Sequence, residues 1–207
     1  MAVKDTNYLE VWGTHIRWAA LCPTAWEIVF SGRIPRHYTT PPIVGEAREV
    51  HDKVVKIVNE YMEPSRNSSV LYVSKEVAEY AISFDEGRKH IIINAKPDLY
   101  VLWDAGGKLI NLVVEVTARS LAYIPREWLV AEMLGFYIRN LRPTFALLVQ
   151  LGQNTKIRVW ILPLTTSLFR ELMKLMLSGP TSLERARLRE SLCYNCDLRN
   201  VCPSPLV

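Results

Sequence analysis

Residues 193–203 read CYNCDLRNVCP and contain three of the chain's four cysteines, in the pattern C-x2-C-x5-C. These three are Cys193, Cys196 and Cys202. The fourth, Cys22, lies far away in the sequence, directly before Pro23. Four thiolates are the number that encloses a cubane iron–sulfur cluster or completes a tetrahedral zinc site. Either metal would join two distant segments of the chain. Buried or disulfide-paired cysteines are the alternative, and disulfides are the weaker one because nothing in the sequence resembles a secreted protein.

Composition and charge set broad limits on the protein. The 207 residues are 49% hydrophobic and 22% charged, which is sufficient for a substantial core. A Gly/Ser-rich or Pro-rich linker is absent, so we expect one domain over residues 1–207. The first residues lack the apolar run of a signal peptide, and no run of about 18 apolar residues is present, so we expect a cytoplasmic protein outside the membrane. The net charge of +4 is compatible with a polyanionic partner but does not identify one.

Hydrophobic periodicity predicts a mixed sequence of helices and strands. Helices are expected at residues 14–32 with a break at Cys22-Pro23, and at residues 44–62, 126–141, 167–178 and 181–192. Strands are expected at residues 70–74, 77–84, 89–103, 108–117, 143–152 and 156–163, with hairpin turns at residues 85–88 and 104–107.

Two carboxylates in this pattern are candidates for chemistry. Asp98 follows Pro97, and Glu115 ends the apolar run that begins at Leu112. Carboxylates are seldom buried without partners, so Glu115 requires an explanation, and a bound divalent cation would supply one. His51 lies within a predicted helix. Such a histidine more often packs or caps than binds metal, and it becomes relevant only if carboxylates lie beside it.

The cysteine pattern and these motifs together resemble a known family, the RecB-like nucleases with an iron–sulfur cluster. The closest resemblance is to the CRISPR-associated exonucleases of the adaptation module, the fourth Cas protein. Cys22-Pro23 before Trp26 and the C-terminal C-x2-C-x5-C-P carry it. The resemblance implies an α/β, restriction-endonuclease-like PD-(D/E)XK nuclease core. N-terminal helices (14–32) and a C-terminal segment (181–203) would be joined by a four-Cys cluster, with 4Fe-4S favoured and zinc the alternative.

The resemblance also implies an active site. The family's metal ligands correspond to His51, Asp98, Glu115 and the Val116 carbonyl, which would hold Mg2+ or Mn2+. The catalytic Lys of the family is replaced by Thr117, which shares a strand face with Glu115. Loss of such a group typically costs about 10²- to 10⁴-fold in rate, so a weakened enzyme is expected unless another cation compensates. Lys96 and Arg119 are candidates for that cation.

The family's Gln-x3-Tyr motif is altered in this chain. Tyr137 is matched to its Tyr, but Met133 stands four residues before it. Glu132 stands four residues before Phe136, so either the Gln has been lost or the motif has moved by one residue.

The implied function is metal-dependent cleavage of single-stranded or partly duplex DNA, as an exonuclease or endonuclease that processes DNA for CRISPR spacer acquisition. Cas integrase proteins would be partners, and a homo-oligomer is compatible with the sequence. The weak candidates for DNA contacts are Lys96, Arg119, Arg126, Arg185 and Arg189. Two alternatives stay open: a catalytically weakened DNA-binding or scaffold subunit of the adaptation complex, and a stand-alone or viral RecB-like nuclease.

Overall fold

The strands of the protein form two sheets in the computed structural model, which describes residues 7–34, 46–84, 89–117, 121–151, 157–180, 193–194 and 196–203. The smaller sheet has the order β1-β4-β3, formed by β1 (Asn7–Trp12), β3 (Ala78–Phe84) and β4 (Lys89–Ala95). The larger has the order β2-β5-β6-β7-β8, formed by β2 (Val70–Ser74), β5 (Leu99–Asp104), β6 (Leu109–Thr117), β7 (Thr144–Leu151) and β8 (Ile157–Pro163). The pairs β1–β4 and β6–β7 are parallel, and the other pairs are antiparallel. Each parallel pair needs a crossover connection, which helices supply.

Five α-helices complete the described part of the chain: α1 (Gly13–Leu21), α2 (Pro23–Phe30), α3 (Glu46–Tyr61), α4 (Arg126–Asn140) and α5 (Thr166–Ser178). Cys22 separates α1 from α2 because its backbone is extended, with φ −144° and ψ 126°, and Pro23 then starts the next helix. Gly32 follows the end of α2 with φ 72°, and the Arg33 N–H donates to the Ile28 carbonyl at 3.2 Å. This is the hydrogen bond of a Schellman motif, so the predicted break and the predicted glycine cap are both confirmed.

Most predicted elements within the described residues are confirmed to within two residues, but one is wrong. The strand expected over residues 89–103 is two strands in different sheets, β4 and β5, with Lys96, Pro97 and Asp98 between them. Proline has no N–H for a sheet ladder, which explains the interruption. Strand β1 was not predicted at all. The turn at residues 85–88 and the helix at residues 181–192 lie outside the described residues.

Helix α4 is the centre of the main core. Nine consecutive residues, from Trp128 to Phe136, are buried. Phe136 stacks on Tyr100 of β5, with ring centroids 4.4 Å apart and an interplanar angle of 13°. On the opposite face of the five-stranded sheet, α3 packs Val54 and Val55 onto a second, smaller apolar cluster. Consecutive residues of β6 therefore point alternately towards α4 and towards α3.

Within the described ranges, every helix is too short or too polar to cross a bilayer.

Gly135 sets the distance between α4 and the smaller sheet. A Cβ at this position would lie 3.0 Å from the Cβ atoms of Ala78 and Ala95 and 3.1 Å from the Ala78 carbonyl oxygen. We therefore predict that Gly135→Leu lowers the free energy of unfolding by about 1–3 kcal/mol, because the helix has to move away from the sheet. Urea denaturation measures this. Ile138→Leu, on the exposed face of α4, is the control and should change stability by less than about 0.5 kcal/mol. Equal midpoints for Gly135→Leu and the parent would contradict the close packing.

Candidate active site at the end of strand β6

Asp98 is positioned by the break between β4 and β5. The chain leaves the smaller sheet at Ala95 and enters the larger one at Leu99, so Asp98 lies at the point where the two sheets meet. The Val116 N–H of β6 donates to Asp98 Oδ2 at 2.7 Å. This hydrogen bond fixes the carboxylate beside the end of β6, next to Glu115.

His51 reaches the same carboxylate from α3. Its Nε2 lies 3.2 Å from Asp98 Oδ2, and its Nδ1 lies 3.3 Å from Asp52 Oδ1. Hydrogen bonding to Asp98 raises the pKa of His51, and burial opposes this effect. The structure therefore brings together His51 and Asp98, which are 47 residues apart in the sequence.

Glu115 is a buried carboxyl group. Only 4% of the residue is exposed, and its Oε1 has no hydrogen-bond partner among the described residues. Burial raises the pKa of Glu115 well above its ordinary value, and the charges of Asp98 and Glu132 raise it further, while Arg17 lowers it. A buried carboxyl oxygen without a partner is costly, so this position is suited to a group that supplies positive charge.

Glu132 is a second buried carboxyl group, on α4. It is 1% exposed, and its Oε1 accepts a hydrogen bond from Trp128 Nε1 at 3.2 Å. Burial raises the pKa of Glu132 to about 8, although hydrogen bonds from Trp128 and from the Lys96 backbone oppose the shift. A Cβ at Gly13 would overlap the Glu132 carboxylate, so the absence of a side chain in α1 leaves room for it.

The sequence contained the signal for Glu132. It is the one charged residue between Trp128 and Phe136, the same pattern that singled out Glu115. The altered Gln-x3-Tyr motif indicates Glu132 only as a possible remnant of the family's Gln.

The other predicted site residues lie in different places. Thr117 is buried on β6 and lies on the same face of the strand as Glu115. Val116 lies on the opposite face, in the apolar cluster beneath α3. Tyr137 is 40% exposed and lines a pocket between β3, α4 and α5, on the other side of α4 from Glu132, so the structure does not bring it to the site. Lys96 and Arg126 are exposed. The remaining predicted basic residues, Arg119, Arg185 and Arg189, lie outside the described residues.

The four cysteines line one small pocket, together with apolar residues of α1, α2 and the C-terminal segment. The pocket is formed by Cys22, Cys193, Cys196, Cys202, Trp18, Ala25, Ile28 and Leu198. A hydrogen bond of 2.8 Å from Trp18 Nε1 to Asp197 Oδ2 attaches the C-terminal segment to α1. Burial raises the pKa of the Cys196 thiol to about 12, and the neighbouring Cys22 and Cys202 contribute to the shift. Segments that are distant in the sequence therefore place all four thiols around one space.

Among the described residues, no group of three or more His, Cys, Asp or Glu side chains is arranged as it would be around an ion. His51 and Asp98 contact each other directly, and a cation held by both would replace that contact. The cavity that all four cysteines line has a volume of about 30 Å³.

The fold and site define a mixed α/β protein with two sheets, whose buried carboxylates meet at the end of a central strand. No family model and no curated protein matches the chain. The protein SSO0001, which has a crystal structure, is similar over 100% of this chain and 91% of its own, with 12% identity and a TM-score of 0.51. An alkaline exonuclease, LHK-Exo from Laribacter hongkongensis, is similar over 81% of this chain and 84% of its own, with 11% identity and a TM-score of 0.43. The similarity to SSO0001 establishes a shared fold, and neither structure identifies an activity for this chain.

The pKa of Glu132 makes stability dependent on pH. Between about pH 4.5 and about pH 8 the unfolded chain releases this proton while the folded protein retains it, so the free energy of unfolding should fall as the pH rises. Glu132→Gln cannot titrate and keeps an acceptor for Trp128. We therefore predict that the variant gains stability relative to the parent, on the order of 1–3 kcal/mol, between about pH 5 and about pH 8.

Urea denaturation at the two pH values measures this difference. Glu79→Gln, at an exposed position of β3, is the control and should follow the parent. A stability difference between Glu132→Gln and the parent that is the same at both pH values would show that Glu132 is ionised in the folded protein.

Proposed function

We propose that this protein is a metal-dependent nuclease that acts on DNA. The observation that carries the proposal is that Asp98, between β4 and β5, contacts both His51 of α3 and the Val116 N–H of β6, next to the buried Glu115. An imidazole and carboxylates in a partly buried position form a donor set suited to Mg2+ or Mn2+. The unpartnered Oε1 of Glu115 supports the same interpretation, because a cation would stabilise its ionised form.

In the proposed site, His51, Asp98, Glu115 and the Val116 carbonyl would hold the ion. When bound, such an ion polarises a phosphodiester and lowers the pKa of an attacking water. The protein contributes the positioning. The Val116 N–H orients Asp98, and α3 supplies His51 at the same point. The buried surroundings of Glu115 strengthen electrostatic interactions with a bound charge.

We also propose that the four cysteines bind a structural metal centre, with a 4Fe-4S cluster favoured and zinc the alternative. Their common pocket supports this, because neither Cys22 nor the C-terminal cysteines would form a closed site alone. Thiols must release their protons to bind metal, and the metal would then stabilise the thiolates. The centre would join α1 and α2 to the C-terminal segment.

The biological context rests on the resemblance alone. Cleavage of single-stranded DNA during CRISPR spacer acquisition, together with integrase proteins, is the specific form of the proposal. A second candidate is a DNA-binding or scaffold subunit with a weakened site. Thr117 favours this second candidate, because it places no positive charge where the family has a Lys.

Substitution of the carboxylates tests the proposed chemistry. We predict that Asp98→Asn and Glu115→Gln each lower the rate of Mn2+-dependent cleavage of a labelled single-stranded oligonucleotide by at least about 10²-fold, because each removes a negative ligand while preserving side-chain volume. Asp104→Asn is the matched control. Asp104 lies at the far end of β5, and the variant keeps an oxygen to accept the Gly107 N–H. Cleavage at the parental rate by either site variant would contradict the carboxylate assignment. A parent that binds DNA but does not cut it would favour the scaffold alternative.

Metal analysis of protein purified without oxygen tests the cysteine centre. We predict a brown protein with iron and acid-labile sulfide bound, and loss of both together with a lower thermal midpoint in Cys22→Ser and Cys196→Ser, because an incomplete ligand set cannot enclose the cluster. Tyr194→Phe, at an exposed position between two of the cysteines, is the control and should keep the metal. A colourless protein with one zinc per chain would select the alternative metal. Full stability and no bound metal in the parent would refute the centre.

A further inference from the structure

Arg17 of α1 is held in a fixed position between two indole rings. Its guanidinium carbon lies 4.9 Å from the ring centroid of Trp128 and 5.3 Å from that of Trp18. Its Nε donates to the Tyr123 carbonyl at 2.9 Å. Cation–π contacts on both rings and a hydrogen bond to the backbone restrict the rotamers of a side chain that is usually mobile.

The same contacts place Arg17 beside the carboxylates. Trp128, which lies against the guanidinium, donates its indole N–H to Glu132. Tyr123 belongs to the short 3-10 segment Leu121–Tyr123, which follows β6 in the chain. Glu132 in turn accepts a hydrogen bond from the Lys96 backbone, two residues before Asp98. Arg17 is thus a cation separated from the Glu132 carboxylate by one indole ring.

A nuclease site of this composition needs positive charge from the protein. Asp98, Glu115 and Glu132 lie close together, and an approaching phosphodiester brings a negative charge to these acidic side chains. Thr117 carries no positive charge to offset it. Lys96, one of the two residues expected to compensate, is exposed. The planar guanidinium of arginine matches the geometry of phosphate oxygens, and a restrained one loses little entropy on binding.

We propose that Arg17 binds a phosphate of the DNA strand at this site and supplies the positive charge that Thr117 does not. This inference rests on the proposed nuclease function. Arg17 also packs α1 against α4, so its role as a phosphate ligand has to be separated from its role in packing.

Binding without metal is the first measurement. The probe is a fluorescent single-stranded oligonucleotide, titrated in EDTA at several salt concentrations and followed by anisotropy. Arg17→Gln should weaken binding by about tenfold and reduce the salt dependence by about 0.7, the contribution of one phosphate contact on a single strand. Arg17→Lys should keep most of the salt dependence. Lys108→Gln is the control because it removes one positive charge from the exposed turn at the opposite end of β6. It should leave both quantities unchanged.

Rescue of cleavage is the second measurement. In Mn2+, Arg17→Gln should lower kcat by about 10²-fold, as removal of a transition-state charge donor does. Thr117→Lys in that background should recover at least about tenfold, because it returns a cation to the same site. A residue that only packs two helices would not be rescued in this way. Thermal midpoints of all variants identify any that fail to fold. If Thr117→Lys fails to fold, the cleavage rates of Arg17→Lys and Arg17→Gln are compared instead.

The outcomes separate this inference from the nuclease proposal. Cleavage by the parent that is lost in Asp98→Asn but unchanged in folded Arg17→Gln, with unchanged salt dependence, would refute the role of Arg17 and leave the nuclease intact. Lower DNA affinity and reduced salt dependence in Arg17→Gln, with no cleavage by the parent, would retain Arg17 as a phosphate ligand and refute the nuclease.

Discussion

A buried carboxyl group at the end of β6 is the constraint around which the site is arranged. Glu115 lies where the central strand passes beneath α4, and the neighbouring charges of Asp98 and Glu132 make its ionisation harder still. Three acidic groups in such a position destabilise the folded protein when they are ionised, unless positive charge reaches them. The protein supplies some of it through Arg17 and through the imidazole of His51. The negative charge that these two residues do not offset is the physical reason to infer a bound cation.

The two sheets meet beside Asp98 and the end of β6. Pro97 ends the ladder of β4, and the chain then enters the larger sheet, so Asp98 is placed beside the backbone of β6 rather than within a strand. Gly13 provides the space for Glu132, and the indole of Trp128 contacts both Glu132 and Arg17. Elements from both ends of the chain therefore contribute to one site. The pocket lined by the cysteines lies on the same helix, α1, at its other end.

Much of the fold and part of the candidate site could be predicted from the sequence. The elements and residues that were not predicted were missed for physical reasons. Periodicity predicted the helices and most strands, because apolar faces repeat at 3.6 or 2 residues. It failed at residues 89–103, where both strands are apolar and only Pro97 marked the boundary. Strand β1 pairs in parallel with β4, far away in the sequence, so no local turn indicated it. Glu115 was found because a carboxylate in an apolar run needs a partner, and Asp98 because it follows Pro97 and matches the Asp of the nuclease family that the sequence resembles. Arg17 was missed because its neighbours Trp18 and Trp128 are distant in sequence from each other.

The central claim is that the carboxylates at the end of β6 bind a hard divalent cation. Titration of the parent with Mn2+, followed by the loss of the free Mn2+ signal in electron paramagnetic resonance, tests it without reference to any substrate. We expect saturable binding of one or two ions per chain that is abolished in Glu115→Gln and unchanged in Asp104→Asn. Mn2+ that stays free at every concentration, or binds equally well to Glu115→Gln, would contradict it.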